Sequence, residues 1–549
     1  MTVHHDADGV YAVLSALDLP CYVVDADGVY AVLSALDLPC YVVAVGGRVG
    51  ATHDRPARGS ATTLLAAAGP LPPHRLGSAA VARHHEVRSA YMAGAMAGGI
   101  SGEDLVVALS RAGHLASFGA AGLPEARLCA ALGRLRERLG AAPYACNLIH
   151  SPMAPEAERT CVDLCLHHGV RCVEASAFVQ LTPALVRYRL TGLGAGPGGG
   201  VRAGHRVIAK VSRPETAELF LRPAPDALVA ELLARDEITA EQATLARTVP
   251  MADDITVEAD SGGHTDRRPL TVLLPAVARL RDRLGRPRPG GEPVRLGAAG
   301  GIGTPRAVAA ALALGADYVV TGSVNQASVE AGTSPAVKRL LAEAGLADCV
   351  MAPAADMLEQ GVTVQVLGRG TRFPSRAGRL YRLYHDHPGL EALPAVEGRR
   401  LERTFGMSVD RVWQETADYL KAHHPDRLAR ARQDPKHRMA LVFRWYLAMA
   451  SRWATAGVDD RAEDWQIWCG PAMGAFNDWT ADSALAAPEH RHVTTIADHL
   501  LRGAAYHRRL DQLRAAGVRI PGSCAEYRLP AVPVPRRAAA PDTAPPARR

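Results

Sequence analysis

From about Ser89 to residue 350, short apolar runs rich in β-branched residues alternate with longer stretches in which apolar positions recur every three or four residues. The short runs fall at 90–95, 114–118, 144–149, 172–175, 206–211, 255–258, 294–298 and 318–321. The stretches between them, such as PEAERTCVDLCLHHG and PRAVAAALALGA, place Pro near a first helical turn and Gly just past the last. Eight strand-plus-helix units in about 260 residues predict an α/β fold of the (β/α)8 barrel (TIM barrel) type, because a doubly wound sheet more often stops at about five or six strands.

Beyond residue 350 the pattern changes. The segments at 402–424, 435–457 and 493–517 are long and amphipathic, so a C-terminal, mostly α-helical domain is expected over 386–528, after a barrel at 85–385. The tail, 529–549, is rich in Pro, Ala and Arg and reads as disordered. Residues 1–84 read as a covering segment, with 50–80 a linker rich in Gly, Pro, Ala and Arg. Within it DADGVYAVLSALDLPCYVV occurs at 6–24 and again, letter for letter, at 25–43. Two identical copies are unlike a structural repeat, which needs about three diverging units, so only the second copy has to enter the fold.

Composition narrows the function. With 549 residues the chain exceeds a small binding module, and 48% hydrophobic residues supply a core. The net charge of +6 is spread along the chain and carried almost entirely by arginine, with lysine only at Lys210, Lys338, Lys421 and Lys436, which is no nucleic-acid footprint. Ten cysteines without a CxxC, with Cys161 and Cys165 four apart on an expected helix, suit buried thiols in a reducing compartment. The acidic start is unlike a signal peptide and no apolar run approaches the roughly 20 residues of a membrane span, so a cytoplasmic protein with no membrane contact is expected.

Two late glycine turns are the strongest chemical signal. Gly300-Gly301 follows the run at 294–298 and leads through Thr304-Pro305 into a helix, and Gly322-Ser323 follows the run at 318–321. Adjacent late loops of a barrel, with bare N–H groups, suit a phosphate; alternatively the glycines only allow tight turns. The run at 255–258 leads into Glu258, Asp260, Gly262, Gly263, His264 and Asp266. There the double glycine admits a planar ligand and His264 is placed to move a proton near neutral pH. A purely structural turn, or a hard-metal site from Glu258, Asp260 and Asp266, are the alternatives, and no metal is assigned. Lys210 ends an apolar strand, where an anionic partner would offset its desolvation, and Asn147 offers an amide at another strand end; a surface lysine and a turn cap are the plainer readings. The glycines of 192–200 lack a preceding strand and read as a loop.

Taken in order, NLIHSP (147–152), VEASAFVQLTPALVRYR (173–189), AKVSRPE (209–215), PMADDITVEADSGGHTD (250–266), AAGGIGTP (298–305), VTGSVNQASVEAGTS (320–334), MAPAADM (351–357), QVLGRGTRFPSRA (365–377), DPKHRMALVFRWYL (434–447) and QIWCGPAMGAFN (466–477) resemble the PfaD family. These are the trans-acting enoyl reductases of polyunsaturated fatty-acid and polyketide synthases. The resemblance covers about 85–530. The helical unit resembles the insertion of malonyl-transferase-like proteins. The chain departs from the family pattern at Gly98-Gly99, where an asparagine is usual, and at Leu358, where Phe is usual; neither removes a group the chemistry needs.

The resemblance implies an FMN-bearing barrel related to nitronate monooxygenases, using NAD(P)H, NADPH before NADH, and a substrate borne by an acyl carrier protein. A homodimer is one arrangement it allows. Position by position, Gly300, Gly301, Gly322 and Ser323 would hold the FMN phosphate. Met96, Gly98, Asn147 and Lys210, with the Gly262-Gly263 turn, would surround the rest of the cofactor, and His264 would handle the proton. Arg444 and Arg452 would be candidates to meet the carrier protein. Two rivals are a nitronate-type oxygenase on the same barrel and a non-catalytic assembly component. Acyl transfer by the helical unit is set aside because the chain has no GxSxG.

Overall fold

The eight expected runs form the eight strands of a closed parallel barrel: β1 (Tyr91–Ala93), β2 (Leu115–Phe118), β3 (Ala145–Ile149), β4 (Cys172–Ser176), β5 (Arg206–Val211), β6 (Asp254–Glu258), β7 (Arg295–Ala299) and β8 (Tyr318–Thr321). The computed structural model describes residues 4–5, 26–57, 59–152, 154–196, 200–284 and 292–530. The first repeat copy (6–24) and nearly all of the expected disordered tail lie outside them. Each strand pairs with its sequence neighbours, and β8 closes on β1. Strands buried on both faces read as unbroken apolar runs, which is why the sequence marks them. Met92, Leu115, Cys172, Ile208 and Tyr318 fill the barrel interior. The alternate residues Val173, Val207, Leu296 and Val319 pack outward into the main core under the helices.

Seven helices follow in register: α1 (Glu103–Arg111), α2 (Glu125–Leu139), α3 (Pro155–His167), α4 (Pro183–Leu190), α5 (Pro214–Leu221), α6 (Leu270–Leu284) and α7 (Pro305–Ala313). Thr304 caps α7, its hydroxyl accepting from Ala307 N at 3.3 Å, with Pro305 in the first turn. The eighth helix, α8 (Val493–Ala515), comes from far along the chain and packs on both α7 and α1. It lies within 386–528, where a separate helical domain is expected, yet Ile496, Leu500, Ala504 and Leu510 belong to the barrel's core. Periodicity reveals an amphipathic helix but not the surface it will cover.

The chain between β8 and α8 builds the helical unit. Phe373–Asp386, Ala395–Phe405, Val409–His423, Pro425–Gln433 and Pro435–Ala456 are helices, and Phe373, Leu380, Phe405, Phe443 and Tyr446 form a core of their own. Beside them Cys349–Pro353 and Thr363–Leu367 pair in a three-stranded sheet whose third member is Gly263–His264, from the loop after β6.

Two expectations give way. Residues 50–80 are not a plain linker: Arg48–Thr52 and Thr62–Ala68 are strands flanking Cys40–Val45, built from small residues whose composition masks their alternation. The glycine-rich stretch at 192–200 is not an unpaired loop either. Leu193–Ala195 pairs with Val201–Ala203 as a hairpin, the glycines having hidden its pattern. The second repeat copy does enter the fold, through the helix Ala26–Ser34 and the strand Cys40–Val45, with Val29, Val32 and Leu33 buried. The guanidinium of Arg509 on α8 is fully buried and donates to the carbonyls of Leu33, Ala35, Leu36, Leu38 and Gly69 at 2.6–3.3 Å. Among the described residues no helix is long and apolar enough to cross a membrane.

Candidate active site

The C-terminal ends of the strands and the turns that follow them carry the residues expected to bind the cofactor and to handle the proton. Asn147 lies on β3, Lys210 on β5, Gly262, Gly263 and His264 follow β6, Gly300 and Gly301 follow β7, and Gly322 and Ser323 follow β8. Met96 and Gly98 belong to the turn after β1, where Met96 N donates to Ser101 Oγ at 2.6 Å and Gly98 N to Ala121 O at 2.8 Å. The barrel brings together segments more than two hundred residues apart, at the face where such folds place their chemistry.

Below this rim the interior is polar. Asn147 Nδ2 donates to Glu174 O at 3.1 Å and to Ser176 Oγ at 3.0 Å. Lys210 Nζ lies 3.2 Å from Glu258 Oε1 on the neighbouring strand. Burial works to lower the lysine's pKa, but the charges of Glu258 and Glu174 outweigh it and the net shift is upward, so Lys210 is a cation. Glu174 was not among the expected site residues. It is fully buried; Oε2 accepts from Ala95 N at 2.9 Å, while Oε1 meets no hydrogen-bond donor. Its signal was a carboxylate inside the apolar run at 172–175, the same desolvation argument that marked Lys210.

The glycine turns are shaped for close approach. At Gly300, φ is +82° and a Cβ would stand 2.6 Å from the carbonyl carbon of Ala259, so only glycine fits. Around Gly301, Gly322, Gly263 and Gly98 the position of a Cβ is instead free of neighbours to 4 Å. Ser323 Oγ accepts from Gly470 N at 3.0 Å, and the Cys469-Gly470 backbone passes across Gly262, where a Cβ would meet it at 3.0 Å. The block at 466–477 therefore packs on the mouth of the barrel, joining the turns after β6 and β8.

His264 is held from the helical unit's side. Gly263–His264 pairs with Gln365 and Val364, and His264 Nε2 lies 3.2 Å from Asp356 Oδ1 in the MAPAADM block. With 37% of its side chain exposed, the imidazole faces both the mouth and its carboxylate. Burial works to lower its pKa, but the hydrogen bond and charge of Asp356 outweigh it and the net shift is upward; Asp356 is held below the usual carboxylate range by the same contact, against its own burial. Bonding through Nε2 leaves Nδ1 for a reacting group.

The carboxylates of the hard-metal alternative do not converge. Glu258 is paired with Lys210, and Asp266 accepts from Ser212 Oγ at 2.6 Å and from Arg213 at 2.8 Å. Asp260 Oδ1 is buried without a partner. Arg444 is engaged by Glu359 at 3.2 Å, whereas Arg452 is exposed.

Residues 387–465 match the inserted helical domain of acyl-carrier-protein S-malonyltransferase. The chain is 51% identical over 429 residues to a polyunsaturated fatty acid synthase component of Thraustochytrium sp., covering 77% of this chain and 29% of that one. It is 44% identical over 443 residues to the polyketide biosynthesis protein PksE of Bacillus subtilis, covering 80% and 57%. The chain thus spans under a third of the first relative's length and little more than half of the second's. The crystal structure of the enoyl reductase domain of MlnA, from the macrolactin biosynthesis cluster of Bacillus amyloliquefaciens, superposes with a TM-score of 0.76 at 36% identity, over 80% of this chain and all of that one. With the eight-stranded barrel, its helical insertion and the same ordered blocks in place, the chain belongs to the PfaD-like family of enoyl reductases.

Proposed function

We propose that the protein is a trans-acting, FMN-dependent enoyl reductase, which uses NADPH or NADH to saturate the 2,3 double bond of an enoyl thioester borne by an acyl carrier protein in polyketide or polyunsaturated fatty-acid synthesis, in the cytoplasm. The observation that carries this reading is the convergence of two glycine turns with open backbone, a partly buried lysine and a carboxylate-held histidine on one barrel face. The donor set fits FMN: Gly301, Gly322 and Gly263 border space that a Cβ would fill, and the N–H groups after β7 and β8 suit its phosphate. When bound, FMN supplies the two-electron exchange between nicotinamide and enoyl group.

The chain's own residues do the rest. Gly300, Gly301, Gly322 and Ser323 hold the phosphate, with Ser323 fixed by Gly470. Lys210 would supply a cation to the bound cofactor, and Asn147, aimed by Glu174 and Ser176, would offer it an amide. Met96, Gly98, Gly262 and Gly263 close around it. His264, whose protonated form is favoured by the neighbouring Asp356, would give its Nδ1 proton to the α-carbon of the enoyl thioester. A histidine whose cationic form is favoured suits proton donation better than the abstraction a nitronate oxygenase requires. The insertion's likeness to the malonyltransferase helical domain supports a carrier-protein partner, with exposed Arg452 facing acidic side chains.

The test is an absorbance spectrum of the purified protein, followed by anaerobic NADPH and then crotonyl carrier protein. Flavin bands that bleach with NADPH and return with the thioester support the reductase. Flavin that NADPH cannot bleach favours the oxygenase, and a colourless protein that takes up no FMN favours an assembly role.

A further inference from the structure

Cys146, on the outward face of β3, and Cys161 and Cys165, one turn apart on α3, are all buried, and their Sγ atoms lie within 4.8 Å of one another. They occupy the seam between β3 and α3, away from the barrel's mouth. Apart from contacts among themselves, the hydrogen bonds these thiols make run to one acceptor: Cys146 Sγ and Cys161 Sγ both reach the carbonyl of Asn147, at 3.8 and 3.7 Å. No cationic side chain among the described residues pairs with them, and Leu148, Val162 and Val170 are part of the same apolar core. Three sulfurs bound to one soft ion at about 2.3 Å stand roughly 4 Å apart, so small side-chain rotations would close this triad on a single centre.

Charge decides which centre. A zinc ion needs about four ligands, and three thiolates around it would leave a buried negative charge with no cation to meet it. A trivalent thiophilic metalloid takes three sulfurs and ends neutral. We infer that Cys146, Cys161 and Cys165 form a trithiol site for trivalent arsenic or antimony hydroxide. Three S–H bonds and three metalloid–OH bonds break, three metalloid–sulfur bonds form, and three water molecules leave. No atom changes oxidation state and no net charge is buried.

The site would also report to the barrel's mouth. Binding removes both S–H donors from the carbonyl of Asn147, whose side chain is aimed by Glu174 and Ser176. Because the thiols are buried, uptake has to wait for local opening of α3 and is slow compared with a surface dithiol.

The experiment incubates the holoprotein, kept reduced with a phosphine and free of dithiols, with sodium arsenite, removes free arsenite by gel filtration and counts arsenic against protein. One arsenic per chain, with three sulfur neighbours by X-ray absorption, is expected. Cys161→Ala and Cys165→Ala, which keep small side chains in an apolar seam, should each lose stoichiometric retention, while Cys129→Ser should keep it. No retained arsenic, undiminished retention in Cys161→Ala, a two-sulfur centre, or displacement by zinc sulfate would each overturn the assignment. Because arsenic is counted directly, the result is independent of the reductase reading; a failure of that reading would appear in the flavin spectrum instead.

Discussion

His264 Nε2 and Asp356 Oδ1 stand 3.2 Å apart, though the two residues are separated by 92 positions and are joined only because the loop after β6 adds a strand to the helical unit's sheet. The histidine proposed as proton donor is thus held by the sheet that lies beside the helical unit. At this junction the barrel and the helical unit share an ion pair as well as strand pairing.

That pair sets a pH dependence. The folded-state pKa of His264 is raised by Asp356, so its protonated, donating form persists above the ordinary histidine value and is lost as pH rises through the raised one. Asp356→Asn should move the alkaline limb of the kcat/KM profile to lower pH while leaving the flavin spectrum unchanged. His264→Ala should lower kcat by about 10² to 10⁴, the usual range for a positioned acid. An unmoved alkaline limb in Asp356→Asn would remove the aspartate from this role.

Lys210 faces two carboxylates from neighbouring strands. Lys210→Met leaves Glu258 and Glu174 without their cation; because 19% and 17% of the Lys210 and Glu258 side chains stay exposed, the loss should fall below the roughly 3–5 kcal/mol of breaking a fully buried pair. Thermal unfolding should show a clear drop in Tm, and the double variant Lys210→Met/Glu258→Gln should recover part of it.

The two glycines after β7 should separate by position. Gly300→Ala combines a left-handed backbone with a Cβ 2.6 Å from Ala259, so it should destabilise by at least roughly 2 kcal/mol. Gly301→Ala has an open site and φ +70°, so about 1 kcal/mol is expected, and its main effect should be weaker FMN binding by fluorescence titration.

At the opposite end of the barrel, Asp254 is bound by Arg295 at 2.6 and 3.0 Å and by His85 at 2.7 Å. Burial pushes its pKa up, but His85 and Arg295 bring it down to about 2. A depressed folded-state pKa gives stability that is full above the ordinary carboxylate value of 3.8 and fades as pH falls toward about 2. Acid titration followed by circular dichroism should show that loss, and Asp254→Asn should flatten it.

The placement of α8 makes a prediction about truncation. A chain ended at residue 385, where the strand-and-helix alternation is over, lacks the helix that covers α1 and α7 and should aggregate. Soluble, folded protein from such a chain, judged by size-exclusion chromatography and near-ultraviolet circular dichroism, would contradict the assignment of α8 to the barrel.

How much was legible follows from these cases. The eight strands were readable because burial on both faces writes itself as apolar runs, and the glycine turns because the backbone needs them locally. Asp356 sits inside a block of the family pattern, yet nothing local says that MAPAADM meets His264. Glu174 was legible by the desolvation argument that marks Lys210, its carboxylate standing in an apolar run. The hairpin at 193–203 and the strands flanking Cys40–Val45 were hidden by small residues, whose alternation between faces leaves little hydrophobic contrast. Helix α8 was visible as a helix and misplaced as a partner, because pairing across a long insertion leaves no periodic trace.

The buried guanidinium of Arg509 ties α8 to carbonyls up to 476 positions earlier. Helix Ala26–Ser34 is therefore left without this partner until residue 509 has left the ribosome. Docking of α8 is a late, high-contact-order event, slow by the loop it must close, and the surfaces it covers are exposed to aggregation while they wait. In the cell this makes folding speed, as much as finished stability, the quantity on which the yield of active protein depends.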